Sequence, residues 1–402
     1  MKRTHAIIIG AGIAGPTMAL FLKKAGITAA IYEAYGDLSD IGGPLNIAPN
    51  GMHILHALGL AQQVMDHGAV IDTNTFLNAK GKCIASFVNA DARKFGFATV
   101  SIPRAELHRI LVDAAQEQGI PIHYGKKLKN IRDREGQPVI AAFEDGTTAA
   151  GDLLIGADGI NSFTRSLVLP ESPSPEFTGV IGIGGFTDAS AAEGSGLLAP
   201  NVMYMSFGPG EFFGFSRICP GNASAIGWWV NLPVDREVPK EEIRNVSLEK
   251  MKADLLIRFK GWHAPVENII RNTNTLMMHN IQDLHNVRRW HKGRVILIGD
   301  AAHAMAPHAG QGASTSMEDA MLLAKLLRDP HGNYGQVFED FQLARQDRVS
   351  SIIEQARKYG NSKKILSPVA VAFRDLFMRV FMRLFGPRLN ARVYAYRIHW
   401  NE

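Results

Sequence analysis

Residues 6–15 read AIIIGAGIAG, and this stretch decides the fold. Ala6-Ile7-Ile8-Ile9 is an apolar, β-branched run of the kind that fills a buried parallel strand. It leads into Gly10-Ala11-Gly12-Ile13-Ala14-Gly15 and then a helical stretch, Pro16–Ala25. Strand, G-x-G-x-x-G turn and helix in that order form a cradle for a pyrophosphate. Gly10 permits the tight turn, Gly12 lets backbone approach the anion, and Gly15 lets the helix pack against the strand. Unpaired N–H groups at the helix start add partial positive charge. A second strand, Thr28–Tyr32, ends at Glu33, 18 residues beyond Gly15. A carboxylate there accepts both ribose hydroxyls of an adenosine and repels a 2′-phosphate.

Two later stretches share this build. Residues 151–159, GDLLIGADG, and 293–312, GRVILIGDAAHAMAPHAGQG, each pass from a short apolar run into a turn of small residues. Asp158 and Asp300 sit where such strands end, the edge at which open α/β sheets bind ligands. Either acid can instead cap the helix that follows it. Asp300 is placed to accept a hydrogen bond from a polyol, and Gly310-Gln311-Gly312 precedes a helix, Ser314–Leu327, whose dipole can stabilise negative charge. A chain that returns three times to one ligand implies a large cofactor, FAD.

Composition narrows the function classes. A chain of 402 residues exceeds one compact core and implies two lobes plus an extension. Cys83 and Cys219 are far apart, which excludes a disulfide framework and a thiolate metal site and fits a reducing compartment. His303 and His308 straddle a Pro-containing turn without a third ligand, so no metal is expected. A G-x-S-x-G nucleophile elbow is absent. Lys2 and Arg3 before an apolar run imitate a signal peptide, but the glycine fingerprint explains the same residues and no A-x-A-like cleavage site follows. A cytoplasmic protein is expected, since no run has the length of a membrane span. The net charge of +5 is uneven: residues 357–402 carry +8 and the remainder −3. The body lacks aromatic–basic interleaving, so no nucleic-acid partner is expected.

Along the chain, residues 1–70 read as βαβ followed by the loop Ile41–Asn50, which can approach a ring closely, and helix from Pro49 to His67. Residues 71–100 read as strands around a Lys80-Gly81 turn. Pro103–Gly119 is helical, and Pro121–Tyr124, Leu128–Arg132 and Val139–Phe143 are strands. Val202–Phe207, Glu211–Ile218 and Ser224–Asn231 form an aromatic antiparallel meander with turns at Gly208-Pro209-Gly210 and Pro220-Gly221-Asn222. Alternation puts Phe213, Phe215 and Arg217 on one face of its middle strand. A helix spans Lys240–Phe259, and Val295–Ile298 returns to the nucleotide sheet. The expected class is α/β: an FAD-binding Rossmann-like domain (1–70, 98–175, 276–330), an inserted antiparallel-sheet substrate domain (71–97, 176–275) and a C-terminal helical extension (331–402).

GAGIAG, GADGINSFTR and GDAAHAMAPHAGQGASTSMEDA together make residues 5–360 resemble the single-component flavoprotein monooxygenases of the para-hydroxybenzoate hydroxylase type. The resemblance implies that Gly10, Gly12, Ala14, Gly15 and Glu33 hold the ADP half of FAD, with Leu128 also at the cofactor. It implies that Arg104 in SIPRAELHRIL contacts FAD, that Asp158 serves FAD and pyridine nucleotide, and that Asp300 meets the ribityl chain. Pro307, Gly310, Gly312 and Ala313 then lie beside the isoalloxazine. Many relatives carry Asn where this chain has Ser314, whose hydroxyl can still cap the helix.

The implied reaction uses NADH or NADPH and O₂, passes through a C4a-hydroperoxyflavin, and hydroxylates or epoxidises a bulky aromatic or apolar small molecule. An FAD-dependent reductase or dehydrogenase on the same fold, and a non-catalytic flavin protein, remain alternatives. The Trp228-Trp229-Val230-Asn231-Leu232-Pro233 stretch hints at a flavin halogenase but departs from W-x-W-x-I-P spacing. No catalytic base is readable; Arg217 is the candidate for meeting an anionic substrate or flavin intermediate, against the plainer reading of a solvated edge residue. In the tail, Val369–Phe385 places Phe373, Phe377, Val380, Phe381, Leu384 and Phe385 on one helical stripe. That stripe can cover the substrate cavity, form a homodimer contact, or dock on an anionic membrane surface.

Overall fold

The computed structural model describes residues 4–36, 42–219, 225–328, 333–360 and 366–401. The strands of the three glycine motifs lie side by side. His5–Ile9 pairs in parallel with Thr28–Tyr32 on one side and Leu153–Gly156 on the other, and Leu153–Gly156 pairs in parallel with Val295–Leu297. Helices cover one face of this six-stranded sheet, burying Ala6, Ile8, Leu153 and Ile155. A three-stranded sheet of Leu128–Arg132, Val139–Phe143 and Thr148–Gly151 covers the other, burying Ile7 and Leu154. Parallel register carries Gly10, Ala157 and Ile298 to the same edge, where all three turns open.

A second, nine-stranded sheet carries the meander. Its antiparallel body runs Thr275–Asp283, Glu176–Asp188, Ala225–Pro233, Phe212–Arg217 and Asn201–Phe207, and continues through Ala69–Asn78, Thr99–Pro103 and Pro44–Ile47. Helices Leu248–Arg258 and Val266–Arg271 close one face over Phe213, Phe215, Trp228, Phe259 and Ile269. Trp228 donates its indole N–H to Thr273 Oγ1 at 2.8 Å and stacks on Phe213 at 5.3 Å, so the buried polar edge is satisfied.

Several boundaries move. Pro44–Ile47, Thr99–Pro103 and Thr275–Asp283 hydrogen-bond in the large sheet, although the sequence division assigned 1–70, 98–175 and 276–330 to the nucleotide domain. Turn signals mark where a strand ends but not which sheet it joins. The helix expected over Lys240–Phe259 is two, Lys240–Asn245 and Leu248–Arg258, because Val246 is extended and Ser247 Oγ accepts the Lys250 N–H to start the second. The turn at Pro220-Gly221-Asn222 and residue Ile41 lie outside the described residues.

The C-terminal helical extension is present and packs back onto the body of the protein. Helix Tyr334–Gly360 sends Phe338, Phe341, Val349 and Ile353 into the nucleotide-domain core. Helix Pro368–Leu389 then lies on the strand Cys83–Val88, with Gly386 against Phe87 and Arg374 donating to the Gly208 carbonyl. The chain end returns to the nucleotide domain, where Trp400 packs on Phe21 and under the Arg328 guanidinium. Among the described residues no helix is long and apolar enough to cross a membrane.

Candidate active site

The three fingerprint glycines have different surroundings. Gly10 has a left-handed φ of +101°, and a Cβ on it would fall 2.5 Å from the Ala157 carbonyl oxygen. A Cβ on Gly15 would fall 2.0 Å from the Gly10 oxygen, so its absence lets the helix Ala14–Lys24 approach the strand. A Cβ on Gly12 meets no protein atom within 4 Å. Two glycines therefore serve the fold, and the third faces open space. The helix start carries no side-chain cap, which leaves its N–H groups available. Glu33, 6% exposed, fixes the turn: its Oε2 accepts the Ala11 N–H at 2.7 Å and its Oε1 the Tyr35 N–H at 3.0 Å. Buried His108 donates Nε2–H to the Ala11 carbonyl at 2.7 Å, and burial lowers its pKa.

Asp158 is drawn into its own turn. Its Oδ1 accepts the Ser162 hydroxyl at 2.5 Å, and its Oδ2 accepts the Thr164 N–H and hydroxyl, both at 2.9 Å. The capping alternative is thus the geometry seen, and it holds the helix Phe163–Val168 in place. Within that helix, buried Arg165 reaches the Ala301 carbonyl at 2.8 Å, which ties the second motif to the third. Asp300 is half-buried at the first turn of Asp300–His303 and has no partner among the described residues.

Behind the third motif lies a buried ionic lattice that sequence reading missed. Helix Gly312–Leu327 points its uncapped N-terminus to the cleft. From its far side, Glu318 and Asp319 meet two arginines of helix Tyr334–Gly360. Arg345 bridges Glu318 and Asp319, each at 2.7 Å, and all three side chains are at most 1% exposed. Arg348 adds a second contact to Glu318 at 2.7 Å, and Asn50 donates to both Glu318 and Gln311. Asp319 also accepts from His303 at 2.6 Å and from the Gly299 N–H at 2.9 Å. Burial alone would raise the Asp319 pKa, but His303, Arg345 and the Gly299 amide hold it at about 2. The signal was the acid pair in MEDA facing two arginines three residues apart on one helix. Ser314 does not cap: it lies inside the first turn with Oγ buried and unpaired, and a Cβ on Gly51 would fall 2.5 Å from that oxygen.

The meander faces this edge with its other side. Asn231 Nδ2 lies 3.3 Å from His308 Nδ1, joining the sheet to the 307–312 loop. Alternation puts Trp229, Gly214 and Met205 on the same face, opposite the helix-covered core. Arg217 is on the wrong face for the role expected of it. It shares the Phe213–Phe215 side, is paired with buried Ile226, and donates to the Leu198 carbonyl at 3.1 Å. Leu128 likewise sends its side chain into a core with Val139, Ala141 and Phe143 rather than to the cleft. Arg104 is exposed with its side chain beside Gly42, Pro307 and Gly310 are exposed, and Gly312 and Ala313 are half-buried. His303 and His308 go to separate partners. The described cluster of three potential metal ligands is elsewhere, Glu176, Asp283 and His285, and Arg357 bridges it.

Against this geometry, residues 3–336 match the family model for an FAD binding domain. The chain is 30% identical to aurachin C monooxygenase/isomerase of Stigmatella aurantiaca over 96% of both chains. It is 29% identical to an FAD-dependent urate hydroxylase of Klebsiella pneumoniae over 88% of both. The chain belongs to the FAD-dependent monooxygenases of the para-hydroxybenzoate hydroxylase type. Klebsiella pneumoniae HpxO complexed with FAD and uric acid superposes with a TM-score of 0.85 at 25% identity, covering 97% of each chain. The residues present fit FAD. Open space lies above Gly12, Asp300 is unpartnered among the described residues, and three buried polar atoms without partners (His308 Nε2, Gln311 Nε2, Ser314 Oγ) belong to the third motif and its helix. In this monooxygenase family NAD(P)H is the usual reductant.

Proposed function

We propose that this FAD-dependent monooxygenase places one oxygen atom from O₂ on a small aromatic molecule held between the meander and the 307–312 loop. The Asn231–His308 contact carries the reading, because it brings a polar pair to the meeting point of substrate sheet and third motif. The relatives' names, which include urate, 6-hydroxynicotinate and 3-amino-4-hydroxybenzoate, support an aromatic substrate. Gly12 and the Ala14–Lys24 helix start hold the pyrophosphate, Glu33 the ribose, Arg104 and Asp300 the middle of the cofactor, and Pro307 to Ala313 the flavin edge. Bound there, FAD supplies the acceptance of hydride from NAD(P)H and the activation of O₂. The chain positions the reactants. Burial lowers the His308 pKa, which keeps the imidazole neutral. With Nδ1 accepting from the Asn231 amide, Nε2 carries the proton and can donate it to a hydroxyl or carbonyl oxygen of the substrate.

Two glycine variants test the cofactor assignment. Gly12→Val should purify folded without FAD, with the melting temperature of wild-type protein stripped of FAD, whereas Gly15→Val should fail to fold because its side chain overlaps the Gly10 carbonyl. Incorporation of one ¹⁸O atom from ¹⁸O₂ into product separates oxygen insertion from a reductase. A wild type that takes up no FAD defeats the reading.

We also propose a peripheral contact with an anionic membrane through residues 369–385, in place of a homodimer. Most of the stripe is turned outward: Phe373, Phe377, Val380, Leu384 and Phe385 are 45–70% exposed, with Phe381 half-buried, and Val369 and Leu376 beside it are exposed too. Arg379, Arg383 and Arg388 flank it exposed, and its one acid, Asp375, is already paired with Arg374 at 2.7 Å. A second copy would bring like charges together, whereas anionic lipid complements them.

A further inference from the structure

Two glycines on the cleft face of the large sheet lay two rings flat on the backbone. Gly214 pairs with Trp229, and a Cβ on Gly214 would fall 2.4 Å from the indole Cζ2 and 2.5 Å from Cε2. One row along, Gly182 stands between Asn231 and His279, and a Cβ there would fall 2.9 Å from the imidazole Cε1 and Nε2. Neither ring can stand where it does if its glycine carries a side chain. Gly184 separates Trp229 from Met277 and leaves the floor between the two rings without a side chain. His279 faces open space, yet the packing around it, and then Arg104, lower its pKa, so the imidazole is uncharged at neutral pH.

Resting on the monooxygenase reading, we infer that Trp229 and His279 form a flat, uncharged stacking platform that selects neutral, planar, fused-ring aromatics. Size supports two rings over one. Gly214 and Gly182 are two strands apart, about 9.6 Å, and offset by two residues along the strands, about 6.8 Å, so the two seats lie about 12 Å apart and a single six-membered ring cannot reach both. Charge points the same way. The rows Gly214–Trp229–Gly184–Met277 and Asn231–Gly182–His279 contain no arginine, lysine or acid. Arg104, whose charge reaches His279, is the residue the proposed function assigns to the cofactor, so a carboxylate on the platform would compete with FAD for it. The Asn231–His308 pair at one end is left to orient a ring hydroxyl or N–H. Trp229 is a specificity-determining residue here, and Gly214 and Gly182 are positioning residues.

The probes are 2-naphthol, neutral and bicyclic, and 4-hydroxybenzoate, monocyclic and anionic. Each is titrated into the FAD-loaded protein and followed by perturbation of the flavin absorbance. Wild type should bind 2-naphthol at least tenfold more tightly. Gly214→Val, which lifts the indole, and Trp229→Leu, which removes it and leaves the glycine, should each erase that preference while FAD content stays at the wild-type ratio. Equal binding of both probes by wild type overturns the platform, as does a preference retained in Trp229→Leu. The parent reading is scored separately by the rate of flavin reduction with NADPH and NADH without probe. A protein that binds 2-naphthol selectively yet accepts no hydride keeps the platform and loses the monooxygenase.

Discussion

Helix 312–327 buries eleven of its sixteen residues, Glu318 and Asp319 among them, whereas helix 368–389 buries only Gly386. The first hides ions and the second displays phenylalanines. Neither follows from composition, because the usual rule puts apolar side chains inside and charges outside. The difference lies in what each helix meets. Helix 312–327 has a partner helix with arginines at 345 and 348, and its N-terminus must stay fixed at the cofactor edge. Helix 368–389 has protein on one side only, which leaves its phenylalanines exposed; the membrane contact proposed above would cover them.

The largest expected effect comes from breaking the first half of this contrast. Arg345→Met removes the cation shared by two carboxylates that remain buried, which should cost about 3–5 kcal/mol of unfolding free energy. Denaturant unfolding of the FAD-loaded protein measures it. A loss below about 1 kcal/mol would mean that the lattice is solvated and that the two helices differ less than they appear to. Acid tests the same lattice. Asp319 has a folded pKa of about 2 against an ordinary 3.8. A depressed carboxylate contributes stability that is present above the ordinary value and lost as pH falls through the folded one. Wild type should therefore lose on the order of 2 kcal/mol between about pH 5 and pH 2 from this group. Arg345→Met should show a shallower acid limb in the same titration.

A smaller effect tests where the tail belongs. Arg348 lies 3.9 Å over the Tyr396 ring and Arg345 lies 5.6 Å from it, so the last residues close the lattice from outside. Tyr396→Leu should cost about 0.5–2 kcal/mol, the range of a partly desolvated cation–π contact. No change in unfolding free energy would leave the tail unconnected to the buried half.

How much of this was legible depends on whether a residue's role is set by its neighbours in sequence or across the fold. The turn of the first motif was legible because spacing alone fixes what Gly10 and Gly15 must do, and their backbone contacts are as close as that spacing requires. The contacts of Glu33 with the Ala11 and Tyr35 N–H groups were not read from it. The side-by-side strands at 5–9, 153–156 and 295–297 followed from three apolar runs that each end in a small-residue turn. Arg217 was not legible, because both faces of its strand carry phenylalanine and only the position of helices 248–258 and 266–271 says which is core. Asp158 was even between cap and ligand until Ser162 and Thr164 were seen to take its oxygens. Glu318 and Asp319 read as ordinary helix charges, since their arginines come 26 to 30 residues later on a different helix. The outward turn of the 368–389 stripe depended on which side strand 83–88 covers.

The smallest effect on stability should come from the exposed helix, and its value lies in being small. Phe373 and Phe377 are 70% and 65% exposed, so Phe373→Ser with Phe377→Ser should change unfolding free energy by no more than about 0.5 kcal/mol per site. If the stripe meets lipid, the same pair should abolish co-sedimentation with phosphatidylglycerol-containing vesicles while leaving FAD content intact. The arginines separate lipid charge from simple stickiness. Each of Arg379, Arg383 and Arg388 near an anionic surface contributes about 1 kcal/mol, so binding should vanish on pure phosphatidylcholine at physiological salt. It should also be released from anionic vesicles at about 1 M salt, where the Debye length falls to ~3 Å. A second copy predicts otherwise: sedimentation would show a dimer in wild type and a monomer in the double variant, with vesicles making no difference. That result would hand the stripe to the protein itself, and both helices would then be covered by protein.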